Sequence, residues 1–319
     1  MGVLILKKWI LPLSVLVIFL GLLAFTLFDR PPKEDTTANK EQPEIFSLAE
    51  SDIARINISH DQEQIELARE GDAWWVMPGH LKGNNLRIDT LARTLAGLTA
   101  GRVIVETGAN LATYGLDRPA YRVKVQLKDG KSATLLVGAA TPVKTDQGEG
   151  EYYVQKENSP AVYTLSESTV QMFQAGRNDF RNLYFFKFSL ADVEDFAVRW
   201  GDLDVAARLE GTEWQLTRPE SRPVDLDKVT SFLDKATFLE PKEFVKDYPA
   251  EADLSRFGFT SPQGRIVIHQ KAEPKELVAE IGARAGEDYY VRRSDEPYIY
   301  LVAGKDLEDM QRAAEEMVK

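Results

Sequence analysis

The chain has 319 residues, 44% of them hydrophobic and 28% charged, a globular balance with enough length for two ordinary domains beside a membrane segment and a tether. It has no cysteine, which excludes a disulfide scaffold, a thiolate zinc site, a cysteine nucleophile and a lipidated N-terminal cysteine. The formal net charge is −11; Lys7, Lys8 and Arg30 against Asp29 give residues 1–30 a charge of +2, so the remainder carries −13, a surface that repels nucleic acid and anionic headgroups.

Residues 1–8 read as a short cytoplasmic tail ending in Lys7 and Lys8. Residues 9–28, WILPLSVLVIFLGLLAFTLF, are an uncharged run of twenty. A helix of that length spans roughly 30 Å, the thickness of a hydrocarbon core. The two lysines put the tail inside and everything after Phe28 outside the cytoplasmic membrane. A cleaved signal peptide is the rival reading, but the run is longer than a signal's apolar region and ends without a small-x-small site, so a single uncleaved anchor is expected. Residues 29–45 are expected to form a tether: residues 29–44, DRPPKEDTTANKEQPE, have almost no apolar side chains with which to bury a core.

The rest of the chain repeats itself. Phe46-Ser47-Leu48-Ala49 returns as Phe188-Ser189-Leu190-Ala191, and Gly71-Asp72-Ala73-Trp74 as Gly211-Thr212-Glu213-Trp214. Tyr114-Gly115-Leu116-Asp117-Arg118-Pro119 returns as Phe257-Gly258-Phe259-Thr260-Ser261-Pro262, Gly138 as Gly282, and Tyr152-Tyr153-Val154 as Tyr289-Tyr290-Val291. Pro160 and Tyr163 match Pro297 and Tyr300. The order is kept, which predicts two copies of one unit, residues 46–187 and 188–319, each large enough to be a domain rather than a solenoid repeat.

Within the first unit, Ile53, Ile56 and Ile58, then Ile65 to Ala68, then Trp74 to Val76 predict a three-strand meander turning at Asp61-Gln62 and Gly71-Asp72. In the second unit Phe196 to Val198, Leu203 to Val205 and Trp214 to Leu216 do the same. Helices follow, with Asp89 and Asp227 as expected N-caps and with Leu91, Leu95 and Leu98 or Val229, Phe232, Leu233 and Ala236 along one face. Each helix should lie across a sheet. Strands are then expected at Val103 to Val105, Tyr121 to Leu127, Ala133 to Val137, Tyr152 to Gln155 and Val162 to Leu165, with a hairpin at Lys128-Asp129-Gly130-Lys131. Ser166 to Gln174 and Asp306 to Met317 read as closing helices. The stretch Arg177 to Lys187 holds Phe180, Leu183, Tyr184, Phe185 and Phe186, too apolar for a free linker, so the units should pack on each other. The fold class is α+β: two tandem homologous units of antiparallel sheet with a few helices, after one transmembrane helix.

The familiar catalytic signatures are missing. There is no His-Glu-x-x-His helix, no Gly-x-x-x-x-Gly-Lys-Ser/Thr loop and no Gly-x-Ser-x-Gly elbow. The three histidines, His60, His80 and His269, have no counterparts in the other unit and read as surface or turn residues. Gly148-Glu149-Gly150 reads as a hairpin tip. Asp146, Glu149 and Glu151 lack the spacing of a dedicated calcium loop and read as a solvated acidic loop. No catalytic, metal or cofactor residue is assigned. The candidate binding surface is the tyrosine pairs, Tyr152-Tyr153 and Tyr289-Tyr290. Successive strand side chains face opposite ways, so one tyrosine of each pair should enter the core and the other should face out, where two exposed rings at equivalent places could bind peptide or glycan. Tyr114-Gly115 and Phe257-Gly258 read as turns with an aromatic plug, the glycine supplying a backbone angle that other residues avoid.

An N-terminal anchor followed by Gly71-x-x-Trp74, Tyr114-Gly115-Leu116-x-x-Pro119, Asp129-Gly130, a strand ending at Gly138, Tyr152-Tyr153 and Val162-Tyr163 resembles the bacterial family called "domain of unknown function 4340". The second unit repeats the pattern more loosely: Phe259 stands for the leucine, and Lys271-Ala272-Glu273-Pro274 for the Asp-Gly turn. The resemblance carries no catalytic residues. Family members often resemble accessory components encoded with ABC transporters of the gliding-motility type, which implies a partner in a membrane complex.

The expected function is therefore non-enzymatic: a single-pass cell-envelope protein displaying a duplicated extracytoplasmic domain that binds another envelope or transporter protein. A glycan- or peptide-binding module using the tyrosines is the alternative, with a hydrolase that has a carboxylate site between the units behind it. A cleft with converging carboxylates would favour the hydrolase, a repeated aromatic platform the ligand binder, and an apolar patch the protein partner.

Overall fold

A computed structural model describes residues 42–61, 63–145, 147–271 and 276–319. The expected tail at 1–8, the expected span at 9–28 and most of the expected tether at 29–45 lie outside the described residues. Among the described residues no helix is long and apolar enough to cross a membrane. Glu44 to Lys319 is one compact body. It takes in the end of the expected tether: Glu44 bridges to Thr99, and Ile45 is buried with its amide donating to Leu98 O at 2.8 Å.

The duplication is fully expressed in the topology. The first nine strands are β1 (Ile53–His60), β2 (Glu63–Glu70), β3 (Ala73–Met77), β4 (Leu81–Lys82), β5 (Val103–Val105), β6 (Tyr121–Leu127), β7 (Ser132–Ala140), β8 (Glu151–Lys156) and β9 (Val162–Ser166). They form an antiparallel sheet in the order β4-β3-β2-β1-β6-β7-β8-β9-β5. The second nine are β10 (Val193–Trp200), β11 (Leu203–Glu210), β12 (Glu213–Arg218), β13 (Arg222–Pro223), β14 (Pro241–Asp247), β15 (Gly264–Gln270), β16 (Leu277–Ala285), β17 (Asp288–Arg293) and β18 (Tyr298–Val302). Their order, β13-β12-β11-β10-β15-β16-β17-β18-β14, is the first order with nine added to each number. The expected hairpin between β6 and β7 is present: Gly130 has φ +86° and Asp129 Oδ1 accepts from Lys131 N at 3.0 Å.

The two long early helices begin before the expected caps. Helix α1 (Asn85–Ala96) is capped by Asn84, whose side chain accepts from Arg87 N. Asp89 is inside the helix, where its carboxylate accepts from the indole N–H of the buried Trp74 at 2.7 Å and pairs with Arg69 at 3.2 Å. It is thus spent on the Gly-x-x-Trp motif rather than on the helix end. After the short α2 (Glu167–Gln171), helix α3 (Leu226–Thr237) is capped by Asp225, two residues before the expected Asp227. Helix α4 (Glu251–Arg256) and the 3-10 turn Leu111–Tyr114 were not expected as elements. The units end differently: α5 (Gly304–Val318) packs on α3, whereas α2 stops after five residues and the chain runs on through Phe173 and Phe180.

One hydrophobic core runs from Phe46 of the first unit through Phe180, Phe185 and Phe186 to Met317 of the second. The expected packing of the two units on each other is realised by those linker phenylalanines, each at most 1% exposed. At the general rate of about 25 cal/mol per Å² of apolar area, burying one such ring contributes about 2–3 kcal/mol relative to leaving it in water.

Candidate functional site

The tyrosine pairs alternate as expected but do not form the expected surface. Tyr152 and Tyr289 face the main core, and Tyr153 and Tyr290 face the other side of their sheets. None of the four is exposed: Tyr289 is buried and the other three are half-buried. The cover is the aromatic of the Tyr-Gly or Phe-Gly turn. Tyr114 meets Tyr153 edge-on with ring centroids 4.9 Å apart, and Phe257 meets Tyr290 at 4.6 Å. Leu116 and Val162 complete the first of these small back-face clusters, and Phe259 and Ile299 the second. The turn glycines have φ +67° at Gly115 and +83° at Gly258, as their role requires. The exposed platform is corrected to a pair of structural plugs.

The other candidate groups are likewise engaged in structure. His60 stacks on Tyr121 at 4.4 Å and His80 on Trp75 at 3.8 Å. His269 Nδ1 lies 2.6 Å from Asp195 and Nε2 lies 3.1 Å from Glu276. Glu149 accepts from Ser168 N at 3.0 Å. Glu151 is not in a solvated loop: it is buried at the start of β8, takes a hydrogen bond from Thr164 Oγ1 at 2.7 Å and pairs with Arg102. Asp146 lies outside the described residues. Among the described residues no group of three or more histidine and carboxylate side chains is arranged to hold a metal.

Where side chains from both units do converge is their seam. Arg181, only 1% exposed, is stacked 3.3 Å from the centroid of Phe244, lies 4.8 Å from that of Tyr298, and forms an ion pair with Asp247 at 2.7 Å. Burial pushes its guanidinium down from the usual arginine range while Asp247 opposes the shift. Arg177 donates to Pro78 O at 2.7 Å and reaches Asp247 at 3.5 Å, and the hydroxyl of Tyr248 donates to Gly79 O. Beside this lies a second buried set. Arg293 holds both oxygens of Asp295 at 2.9 and 2.7 Å and donates to Phe185 O. Glu296 accepts from Tyr300 at 2.6 Å and pairs with Lys82 of the first unit at 3.0 Å. Burial and the Glu296 carboxylate push the Tyr300 hydroxyl up, so it remains a neutral donor.

Above this ionic floor opens a groove of about 480 Å³. Its walls include Trp75, Lys82 and Leu86 from the first unit, Tyr184 and Lys187 from the connecting stretch, and Arg293 and Glu296 from the second. Leu86 is 78% exposed and Tyr184 52%, while Trp75 is half-buried. A neighbouring hollow of about 340 Å³ shares Asn84 and Leu86 and continues along α1 past Arg87 and Leu91 to Met172 and Phe180. Glu296 is the one carboxylate among the groove's lining residues, and its two oxygens are held by Lys82 and Tyr300. The arrangement presents apolar and aromatic contact area edged by cations.

These groove residues are scattered from position 75 to position 296, so neither periodicity nor spacing could have gathered them. Two signals were available. The connecting stretch contains Tyr184 and Arg181 among phenylalanines, and the Asp295-Glu296 turn is acidic where its counterpart Asn158-Ser159 is neutral.

A protein-family model described as "Domain of unknown function (DUF4340)" matches residues 75–213 and 214–319. The first matched segment begins one residue after Trp74 and the second at its counterpart Trp214, so the two segments are in phase with the repeat rather than with the sheets. No curated protein and no solved structure matches the chain.

Proposed function

The chain belongs to the DUF4340 family, and from that premise we propose that it is a non-enzymatic binding component of a bacterial cell-envelope complex. In this reading residues 9–28 anchor it in the cytoplasmic membrane, and the body Glu44–Lys319 is displayed outside and engages another envelope protein, such as a component of an ABC transporter. The anchor concentrates the body at the membrane surface, so a modest interface suffices. The observation that carries the reading is the seam groove, where Leu86, Tyr184 and Trp75 offer apolar contact on a body built around a shared core. Apolar side chains left exposed at the rim of a groove are a common mark of protein interaction sites. The hydrolase alternative draws no support from this groove, since glycoside hydrolysis asks for two carboxyl groups across a cleft and Glu296 stands without a second. The glycan alternative keeps one specific observation: Trp75 and Tyr184 share the groove with the amides of Asn85 and Asn182.

The test is crosslinking of the tagged full-length chain in its native membrane, followed by purification and identification of what accompanies it. Enrichment of a membrane-complex subunit over an anchor-only control is expected. Recovery of no partner, under conditions that capture a known complex, would overturn the proposal.

A further inference from the structure

We infer that the seam groove and the hollow beside it take an acidic segment of the partner protein, seated by one or more apolar side chains. The inference rests on the reading just given and adds the partner's chemistry. Three observations carry it. First, Asn84 and Leu86 line both hollows, so the 480 Å³ groove and the 340 Å³ hollow adjoin at the start of α1 and together make a track along it. Second, the end of the track is apolar: Leu91 and Phe180 are buried there and Met172 is half-buried, while Leu86 and Tyr184 are exposed beside it. Third, its charges are unbalanced. Lys82 and Arg293 are satisfied by Glu296 and Asp295, but Arg87 and Lys187, both exposed, have no ion-pair partner among the described residues. The Arg87 guanidinium lies 5.5 Å from the centre of the Phe180 ring, at the apolar end of the track.

This local excess of positive charge stands on a chain with a net charge of −11. Elsewhere on the body, arginines at the surface are commonly matched, as Arg55 is by Glu66, Arg122 by Glu157 and Arg199 by Asp204. Two uncompensated cations bracketing an apolar track attract an acidic segment, and the acidic remainder of the body repels one that arrives elsewhere. A basic segment would meet the reverse situation.

The experiment uses the full-length chain in detergent and a defined probe, the fluorescein-labelled peptide Asp-Glu-Asp-Leu-Phe-Asp-Glu-Asp, with a counterpart in which lysine replaces every acid. Fluorescence anisotropy is expected to show binding of the acidic peptide that weakens as salt is raised, and none of the basic one. Arg87→Glu and Lys187→Glu should each weaken binding about tenfold, a typical effect of reversing a charge at an interface. Leu86→Ser should weaken it as well, whereas Lys131→Glu, outside the track, should leave it unchanged. All of these positions are exposed, and unchanged far-ultraviolet circular dichroism would confirm folding. Absence of acidic-peptide binding, equal binding of both peptides, or insensitivity to the Arg87 and Lys187 reversals would overturn the inference, as would preferential binding of cell-wall oligosaccharides competed by Tyr184→Ala. If the inference fails while crosslinking in native membranes still recovers a partner, the proposed function stands and the partner uses another face. If crosslinking also fails, both fall.

Discussion

The ring of Tyr114 meets the ring of Tyr153 edge-on at 4.9 Å, and Phe257 repeats the contact with Tyr290 at 4.6 Å in the second unit. The most distinctive residues of the repeat are thereby explained as one device. A left-handed glycine turn folds an aromatic side chain back over the strand, and the strand's outward tyrosine receives it. The same turn needs space at a second glycine. A Cβ on Gly138 would run into the carbonyl oxygen of Tyr114, and one on Gly282 into that of Phe257.

Gly138→Ala and Gly282→Ala should therefore each destabilise the protein, by about 3 kcal/mol, the upper range for overpacking a rigid site. Chemical denaturation of the purified protein checks this. Gly130→Ala is a different case, since nothing lies near its Cβ and the cost comes only from a φ of +86°; a loss of about 1 kcal/mol is expected there.

Truncating Tyr114 or Tyr153 to alanine should cost about 2–4 kcal/mol each, as for other large side chains packed on a hydrophobic cluster. The double variant should lose less than the sum, with a coupling of about 1 kcal/mol from the edge-on pair. Additive losses would mean that the two rings are neighbours without being partners.

At the seam, the order of two effects is expected to be unequal. Asp247→Ala leaves the buried Arg181 charge without its carboxylate and should cost about 2–3 kcal/mol, somewhat below the usual range because Asp247 is partly exposed. Arg181→Met removes the charge and keeps most of the volume against Phe244, and should cost less. Denaturation midpoints of the two variants give the comparison. The shared core further predicts that both units unfold in one transition.

His269 should give the body a pH-dependent term. Partial burial alone would push its imidazole below the usual 6.5, but hydrogen bonds to Asp195 and Glu276, together with their charges, outweigh it and hold it above that value. Protonated His269 is thus favoured by the fold. The resulting stability is fully present below about pH 6.5 and fades as pH rises through the folded-state value. In His269→Gln that fading should be absent from the pH dependence of the urea midpoint. An unchanged profile would assign the bracketed histidine no energetic part.

Much of the architecture was legible because the duplication supplied two readings of each element. The meander, the five later strands, the Asp129-Gly130 hairpin and the apolar linker are all carried by local patterns: alternation, turn residues and a run of phenylalanines. The first helix cap is hidden because Asp89 has the chemistry of a cap and is used instead by Trp74, a contact between residues fifteen apart that spacing alone does not reveal; in the second helix the cap is Asp225, two residues before an equally suitable Asp227. The cover over the tyrosines is hidden for a related reason. Alternation tells which face a strand residue takes, but not whether another segment lies over that face, and the covering aromatics come from turns 39 and 33 residues earlier, Tyr114 for Tyr153 and Phe257 for Tyr290. The seam groove could not be read at all, since it exists only once Lys82, Tyr184 and Glu296 are brought together by the packing of two units.

The most direct measurement places a photoreactive phenylalanine analogue at Tyr184 in the full-length chain and irradiates native membranes. The proposed function predicts an adduct with an envelope protein, and the inferred acidic segment predicts that Lys187→Glu reduces it. The control position is Phe238, which is 76% exposed but does not line the groove. An equal adduct from Phe238, or no adduct from Tyr184 where a known complex crosslinks efficiently, would contradict a binding role for the seam.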